Sequence, residues 1–412
     1  MEWQTVEDTV PSSFVTDAQF RSLLGKPPAT GAWRESDPVG NRRFVGLGPF
    51  TFESGQSLPY VRVAYEAWGE LNADASNAVL IEHALTGDSH AVGEAGPGHP
   101  TSGWWQGIIG PGKAIDTDRW FVVVPNMLGG CQGTTGPASI APDGEPWGPR
   151  FPFTTIRDQV EAQVRFADEL GIGRWAAVVG GSMGGMSALE WAVSHPDRVE
   201  RLGVIAAPPV TTADQVALNS VQLEAVRTDP HFRGGDYYDQ ADGEGPHRGL
   251  ALARRMALLN YRSPDELNAR FARSWQSDIS PFGGGGRFAV ESYLDFHGNK
   301  FTRRFDANSY VTVVQAMNSH DVGRGRGGVA AALERVTART LVVGIDSDRL
   351  FPVEGQREIA AGVPGGLDGG NAVVIRSEYG HDGFLIEDEL IGEQLARLLA
   401  AMPPTRQDHV PE

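Results

Sequence analysis

The stretch from Ala176 to Trp191 constrains this chain more than any other. It reads Ala-Ala-Val-Val-Gly-Gly-Ser-Met-Gly-Gly-Met-Ser-Ala-Leu-Glu-Trp: an apolar β-branched run through Val178 and Val179, then Ser182, then a helical pattern from Met183. Gly180, Ser182 and Gly184 make G-x-S-x-G. Between a strand and a helix, that spacing predicts a tight turn that holds a serine in strained backbone geometry at the carboxyl edge of a sheet. Glycine at 180, 184 and 185 removes the Cβ atoms that would keep strand and helix apart. The serine then stands at a helix N-terminus, where backbone N–H groups and the dipole favour negative charge near its oxygen. With 52 glycines in 412 residues the bare pattern arises by chance roughly 0.4 times, so the flanking strand and helix carry the argument.

The neighbouring chain has the rhythm such a turn requires. Val61, Val63 and Tyr65 alternate with Arg62, Ala64 and Glu66, as in a half-exposed antiparallel strand. Val79-Leu80-Ile81 and Phe121-Val122-Val123-Val124 are continuous apolar runs suited to strands buried on both faces. Ile156, Val160, Val164, Ala167 and Leu170 recur at helical spacing before the Ser182 strand, and an apolar run from Leu202 to Ala207 follows the helix after it. Strand and helix in alternation imply a parallel sheet with helices on both faces. From about Pro208 to Arg335 the rhythm stops. Helix patterns at 213–227, 247–260, 264–274, 306–319 and 328–335 fill this region, and the sheet pattern resumes with Leu341-Val342-Val343 and Val373-Val374-Ile375. We therefore expect one α/β core, residues 44–207 and 336–404, built on a mostly parallel sheet. A helical lid, 208–335, interrupts it and roofs Ser182. Residues 1–43, polar and proline-punctuated, read as a loosely held extension. Gly323-Arg-Gly-Arg-Gly-Gly follows no strand and reads as a plain turn.

Charge narrows the function classes. Lysine and arginine total 35 against 52 acids, a net charge of −17, which argues against nucleic acid or an anionic membrane as partner. Cys131 is the single cysteine, so no intramolecular disulfide forms and a reducing compartment is expected. The N-terminus carries acids where a signal peptide carries basic residues, and no apolar stretch reaches membrane-spanning length. The expected location is cytoplasmic.

A serine nucleophile requires a base and a group that orients the base. After the strand ending near Ile345 come Asp346 and Asp348, and after the strand through Ile375 comes Tyr379-Gly380-His381-Asp382-Gly383. The order serine, acid, histidine is that of the α/β-hydrolase fold. His381 is the expected base, and either aspartate could hold its tautomer. The loop His83-Ala84-Leu85-Thr86-Gly87-Asp88 occupies the position from which this fold draws its second oxyanion donor, so the N–H groups of Leu85 and Met183 are expected to hold a tetrahedral oxyanion. His83, Asp88 and His90 match no metal-ligand template, and no metal is expected. His195, in Ser-His-Pro-Asp-Arg, reads as a helix-end residue.

Six segments together resemble the homoserine O-acyltransferase family of the α/β-hydrolase superfamily, most closely its acetyl-CoA-dependent branch, over residues 46 to 400. They are His83 to His90, Asn126-Met-Leu-Gly-Gly-Cys-Gln-Gly-Thr-Thr-Gly-Pro137, the Ser182 turn, Asp306-Ala-Asn-Ser-Tyr310, Ser347-Asp-Arg-Leu-Phe-Pro352 and Gly380-His-Asp-Gly-Phe-Leu385. The resemblance implies acetyl transfer from acetyl-CoA, a co-substrate, to the hydroxyl of L-homoserine through an acetyl-Ser182 intermediate, a step of methionine biosynthesis, with no bound cofactor. It selects Asp348 as the acid. It places the acceptor's carboxylate at Arg254, its pocket tyrosine at Tyr261, its ammonium at Asp382, and Thr86 among the substrate contacts. Arg255 stands where the family usually has methionine, which leaves open which arginine points inward. A homodimer formed through the lid is implied too. Succinyl-CoA as donor, serine as acceptor and simple carboxylester hydrolysis are the rival activities.

Overall fold

The computed structural model describes residues 23–402. Eight strands form one sheet: β1 (Arg43–Thr51), β2 (Ser57–Trp68), β3 (Ala78–Glu82), β4 (Phe121–Pro125), β5 (Ala177–Gly181), β6 (Arg201–Ile205), β7 (Arg339–Ile345) and β8 (Val373–Ile375). Their order is β1-β2-β4-β3-β5-β6-β7-β8. The first two pairings are antiparallel and the rest parallel. Every residue of β3, β5 and β6 is buried, as their continuous apolar runs require. Adjacent side chains go to opposite faces: Val178 packs into one apolar cluster with Trp175 and Trp191, and Val179 into the other with Ile205 and Leu341.

Helix α1 (Ile156–Glu169) starts at a capping box in which Thr155 and Asp158 satisfy each other's backbone N–H groups. Helix α2 (Met183–Ser194) follows β5 directly and is buried from Met183 to Val193. Among the described residues no strand of the sheet lies between β6 and β7. That span holds α3 (Ala213–Arg227), α4 (His247–Tyr261), α5 (Pro264–Phe271), α6 (Ala289–Phe301), α7 (Ala307–Asn318) and α8 (Val329–Leu333). Three more helices complete the core: α9 (Val353–Gly362), α10 (Gly383–Ile386) and α11 (Asp388–Ala400).

Three expectations need correction. The helix patterns missed α6. Phe288, at its N-cap, makes no side-chain cap, and Gly298 breaks the periodicity. Gly298 is there because α4 crosses close by: a Cβ would come within 2.9 Å of the Ala251 carbonyl oxygen. The outward side of β2 is half-exposed only at Arg62: Ala64 and Glu66 are 0 % and 1 % exposed, Ala64 beneath the loop that follows β4, where its N–H donates to Thr134 Oγ1 at 2.9 Å, and Glu66 beneath the loop that follows β3, where it accepts from Ser89 Oγ. The extension is not loose where it is described, from residue 23; residues 1–22, like 403–412, lie outside the described residues. The Trp33 N–H donates to the Cys131 carbonyl at 2.9 Å, Thr30 Oγ1 donates to Asp306 at 2.7 Å, and the Pro28 carbonyl meets His247 Nε2 at 2.7 Å. This strap joins core to lid through two backbone groups and the Thr30 hydroxyl.

Candidate active site

Ser182 sits between β5 and α2 with φ 61° and ψ −127°, a conformation that a non-glycine residue adopts only under constraint from its surroundings. The constraint is close packing. A Cβ on Gly180 would lie 2.1 Å from the Gly184 carbonyl oxygen, and one on Gly184 would lie 2.1 Å from that of Glu82. The first turn of α2 is thereby pressed against the end of β3, where the loop carrying Leu85 begins. A turn closed by the Gly87 N–H on the Ala84 carbonyl, 2.8 Å, shapes that loop. Neither the Leu85 nor the Met183 N–H donates to a protein acceptor among the described residues. The Met183 donor adjoins Ser182 directly, and the Leu85 donor lies on the loop that leaves β3 beside Gly184.

Ser182 Oγ lies 2.8 Å from His381 Nε2, and His381 Nδ1 lies 2.6 Å from Asp348 Oδ2. Asp348 Oδ1 accepts from the Leu350 and Phe351 N–H groups at 2.8 and 2.9 Å, which fixes the carboxylate. Asp346 turns away and accepts from the Ser377 N–H at 3.0 Å. All three linked residues are buried. Burial works against a charged His381, but the Asp348 carboxylate outweighs it, so His381 titrates above its ordinary value. The ring is walled by Phe351, Phe384 and Tyr261, centroids 5.2, 5.4 and 5.8 Å away. Such a set can deprotonate a serine hydroxyl, hold the imidazolium and return its proton to a leaving group.

The helical insertion reaches this site from two sides. Gln215 of α3 donates to the Leu350 carbonyl at 2.9 Å, and Ser263, after α4, donates to the Glu378 carbonyl. Acid loop and histidine loop are thus both tied to the lid. Arg254 of α4 turns inward: Nη1 donates to Thr86 Oγ1 at 3.3 Å, and its guanidinium lies 5.4 Å from the Tyr261 ring centre and 5.1 Å from that of Phe301. No carboxylate pairs with it among the described residues. Arg255 turns outward to Asp295 at 2.8 Å. Asp382 adjoins His381, makes no side-chain cap to the helix that follows, and pairs with Arg262 at 3.1 Å. Burial raises the Asp382 pKa, against the pull of Arg262, His381 and Arg254.

The chain matches the family model described as alpha/beta hydrolase fold over residues 77–388. It is 77% identical, over 97% of its length and 100% of the relative's, to a protein named homoserine O-acetyltransferase from Leifsonia xyli subsp. xyli. The chain belongs to the homoserine O-acetyltransferase family. A solved homoserine O-acetyltransferase from Bacillus anthracis superposes with a TM-score of 0.80 at 29% identity, covering 89% of this chain and 99% of that one. The structure of esterase E22 is nearly as close, with a TM-score of 0.78 at 28% identity, covering 87% and 99%.

Several residues around the site escaped sequence reasoning. Glu82, at the end of β3, is buried directly beneath the Ser182 turn. Burial raises its carboxyl to about 8, and one oxygen accepts from Gln163 Nε2 at 2.8 Å. The signal was a lone acid closing an apolar strand. Glu66, His90 and His99 form a buried cluster within metal-coordinating distance of one another. Their geometry is that of a hydrogen-bond network: Glu66 accepts from Ser89 Oγ at 3.0 Å and meets His90 Nδ1 at 3.0 Å, and His99 Nε2 accepts the Asn41 N–H at 2.9 Å. The two rings stack at 3.8 Å, so their in-plane lone pairs do not converge on one point. The network anchors the far end of the Leu85 loop. His83, also buried, accepts the Met127 N–H at 3.1 Å, and burial lowers its pKa. His195 caps α2 and meets Glu161 at 2.7 Å.

Proposed function

We infer that this chain transfers an acetyl group from acetyl-CoA to the side-chain hydroxyl of L-homoserine. Its 77% identity to a homoserine O-acetyltransferase over nearly the whole chain carries the reading. In the first half-reaction, Ser182 Oγ attacks the thioester carbonyl as His381 Nε2 takes its proton. The N–H groups of Leu85 and Met183 receive the oxyanion, and collapse expels the CoA thiolate, which leaves with the proton from His381. In the second, His381 takes the proton of the homoserine hydroxyl, that oxygen attacks acetyl-Ser182, and collapse returns the proton to Ser182 Oγ.

The acceptor's carboxylate goes to Arg254, supported by its inward direction and lack of a carboxylate partner. The acceptor's ammonium goes to Asp382, whose burial favours gaining a cation. Thr86 and Tyr261, both against Arg254, complete the acceptor's surroundings. Water far outnumbers homoserine, so transfer prevails only if the acceptor is oriented in a site that excludes solvent, which is the proposed office of the lid. The likeness to esterase E22 favours ester hydrolysis as the second reading.

One assay separates these. The purified protein is given L-homoserine or L-serine with acetyl-CoA or succinyl-CoA, and products are weighed by mass spectrometry. O-acetylhomoserine is expected; free acetate with no O-acetyl product would establish the hydrolase instead.

We also propose a cytoplasmic homodimer. Val216 and Val221 of α3 are 38% and 55% exposed and Leu252 and Leu259 of α4 are exposed as well, an outward apolar face on the lid that a C₂ partner would cover. Light scattering at micromolar concentration should give twice the chain mass, and Val221→Glu should lower it.

A further inference from the structure

Helix α6 and the turn after it carry basic groups that the acyl-transfer scheme does not use. His297 and Lys300 lie three residues apart on α6, and Arg304 stands in the following turn. Arg304 Nη1 pairs with Asp88 at 3.1 Å, and its other nitrogen donates to the Thr86 carbonyl. Thr86 is the residue whose hydroxyl accepts from Arg254. The loop that offers the Leu85 N–H is therefore clasped by two arginines, with Lys300 next to one of them.

Charges around this place are unbalanced. Among the described residues, Asp88 pairs with Arg304, Asp382 with Arg262, Glu266 with Arg262 and Arg270, and Asp295 with Arg255 and Arg287. Among the described residues no carboxylate is within ion-pair distance of Arg254 or Lys300. His297 packs against the Tyr293 and Phe296 rings, centroids 4.5 and 5.2 Å away, and the charges that act on it and on Lys300 are positive. Burial and then Arg304 lower the Lys300 pKa, while burial and then Arg254, Lys300, Arg262 and Arg270 push His297 down to about 3. A half-buried ammonium without a counter-ion is unfavourable unless a ligand supplies one. Arg254 has its anion in the acceptor carboxylate. Lys300 has none, and the one other anionic reactant is the CoA thioester, with a diphosphate and a 3′-phosphate at the end remote from its sulfur. A chain of net charge −17 repels such a polyanion everywhere except at a local excess of positive charge.

We propose that Lys300, with Arg304 beside it and His297 one turn before it, binds the phosphate-bearing end of the acyl donor between α6 and the Thr86–Asp88 loop. The inference rests on the acyl-CoA reading above and assigns that donor its anion site. Lysine suits the task, because its ammonium acts as a point charge toward phosphate without requiring the two-pronged geometry of arginine.

Three donors test it in the full-length enzyme at fixed homoserine: acetyl-CoA, acetyl-3′-dephospho-CoA and S-acetylpantetheine, which has neither phosphate group. Lys300→Gln should lower kcat/KM for acetyl-CoA by about 5- to 30-fold and shrink the preference for acetyl-CoA over S-acetylpantetheine by the same factor. Lys300→Arg should restore most of that preference. Salt should weaken acetyl-CoA use more in the unmodified enzyme than in Lys300→Gln. If the factor already appears between acetyl-CoA and its 3′-dephospho form, the 3′-phosphate is the group held; if it appears only with S-acetylpantetheine, the diphosphate is, and either result upholds the site. Equal losses with all three donors, or a rise in KM for homoserine instead, would overturn it. Failure of the unmodified enzyme to acetylate homoserine would sink the acyl-transfer reading itself, before any Lys300 variant is compared.

Discussion

Helices α2 and α3 bury opposite kinds of surface. In α2, between sheet and α1, every residue from Met183 to Val193 is buried and most are apolar. In α3 the buried positions include Gln215, Asn219 and Gln222, while Val216 and Val221 face outward. The core helix is held by non-directional burial, worth roughly 25 cal/mol per Å² of apolar surface, which places Ser182 rigidly and is indifferent to ligand. The lid helix is held by directed bonds: Gln215 to the acid loop, Asn219 to Asn318 at 2.6 Å, Tyr310 to Gln222. Such bonds have one correct geometry, and the first of them ties the position of α3 to the loop carrying Asp348. In this scheme the core supplies the chemistry and the lid chooses what reaches it.

Substitutions on each side can break that division. The largest effect is expected in the core: Ser182→Ala should lower kcat by about 10⁶-fold with an unchanged melting profile, and a pulse of acetyl-CoA on the unmodified protein should add one acetyl mass to the Ser182 peptide. Activity within a hundredfold of normal would remove the nucleophile from the scheme.

Asp348→Asn comes next, at about 10⁴-fold. It should also move the pH profile. In the proposed scheme His381 must be neutral to act as the base, and against the effect of burial Asp348 raises its pKa, so kcat/KM of the unmodified enzyme should fall as pH drops through a value above that of ordinary histidine. With asparagine that acid limb should shift to lower pH. A limb that stays put would assign it to another group.

On the lid side, Arg254→Ala should raise KM for homoserine and increase the share of acetyl lost to water, an effect of roughly 10- to 150-fold on acceptor use. Acetylation of Ser182 should proceed nearly as before. The reverse pattern, slow acetylation with homoserine use spared, would move Arg254 to the donor side.

The smallest effect is on stability. Folded Glu82 keeps its proton up to about pH 8, whereas an unfolded chain releases it near the ordinary 4.5. Its stabilising contribution is therefore full below the ordinary value and is lost as pH rises to about 8. Glu82→Gln, of the same shape and never charged, should melt higher than the unmodified protein at about pH 9, by an amount on the order of a few kcal/mol, and lose that advantage toward about pH 5. Parallel melting curves across this range would show that Glu82 does not titrate beneath the Ser182 turn.

Legibility divides between local pattern and long-range contact. The β3, β5 and β6 runs and the strand-turn-helix at Ser182 could be read directly, because continuous burial and a glycine-lined turn leave few alternatives in residue type. What depends on contacts between distant parts of the chain is less legible. Helix α6 was invisible because the glycine that lets it cross α4 is, in one dimension, a helix breaker. Glu66 looked solvent-facing because alternation predicts two faces and says nothing of a loop folded over one of them. The strap from residue 23 looked loose because its partners lie far off in sequence, at Asp306 and His247.

At the site, residue type and order determined the candidates, and distance in space chose among them. A serine in a G-x-S-x-G turn, a later acid and a later histidine follow from the sequence, since each chemical role admits few side chains. Spacing alone could not separate Asp346 from Asp348, or Arg254 from Arg255, because each pair offers the same functional group within two residues. The resemblance chose Asp348. The fold separates both pairs by direction: Asp348 to His381 and Asp346 to Ser377, Arg254 to Thr86 and Arg255 to Asp295. Direction is set by backbone dihedrals and by what packs around them, a property of the folded chain that no single residue carries.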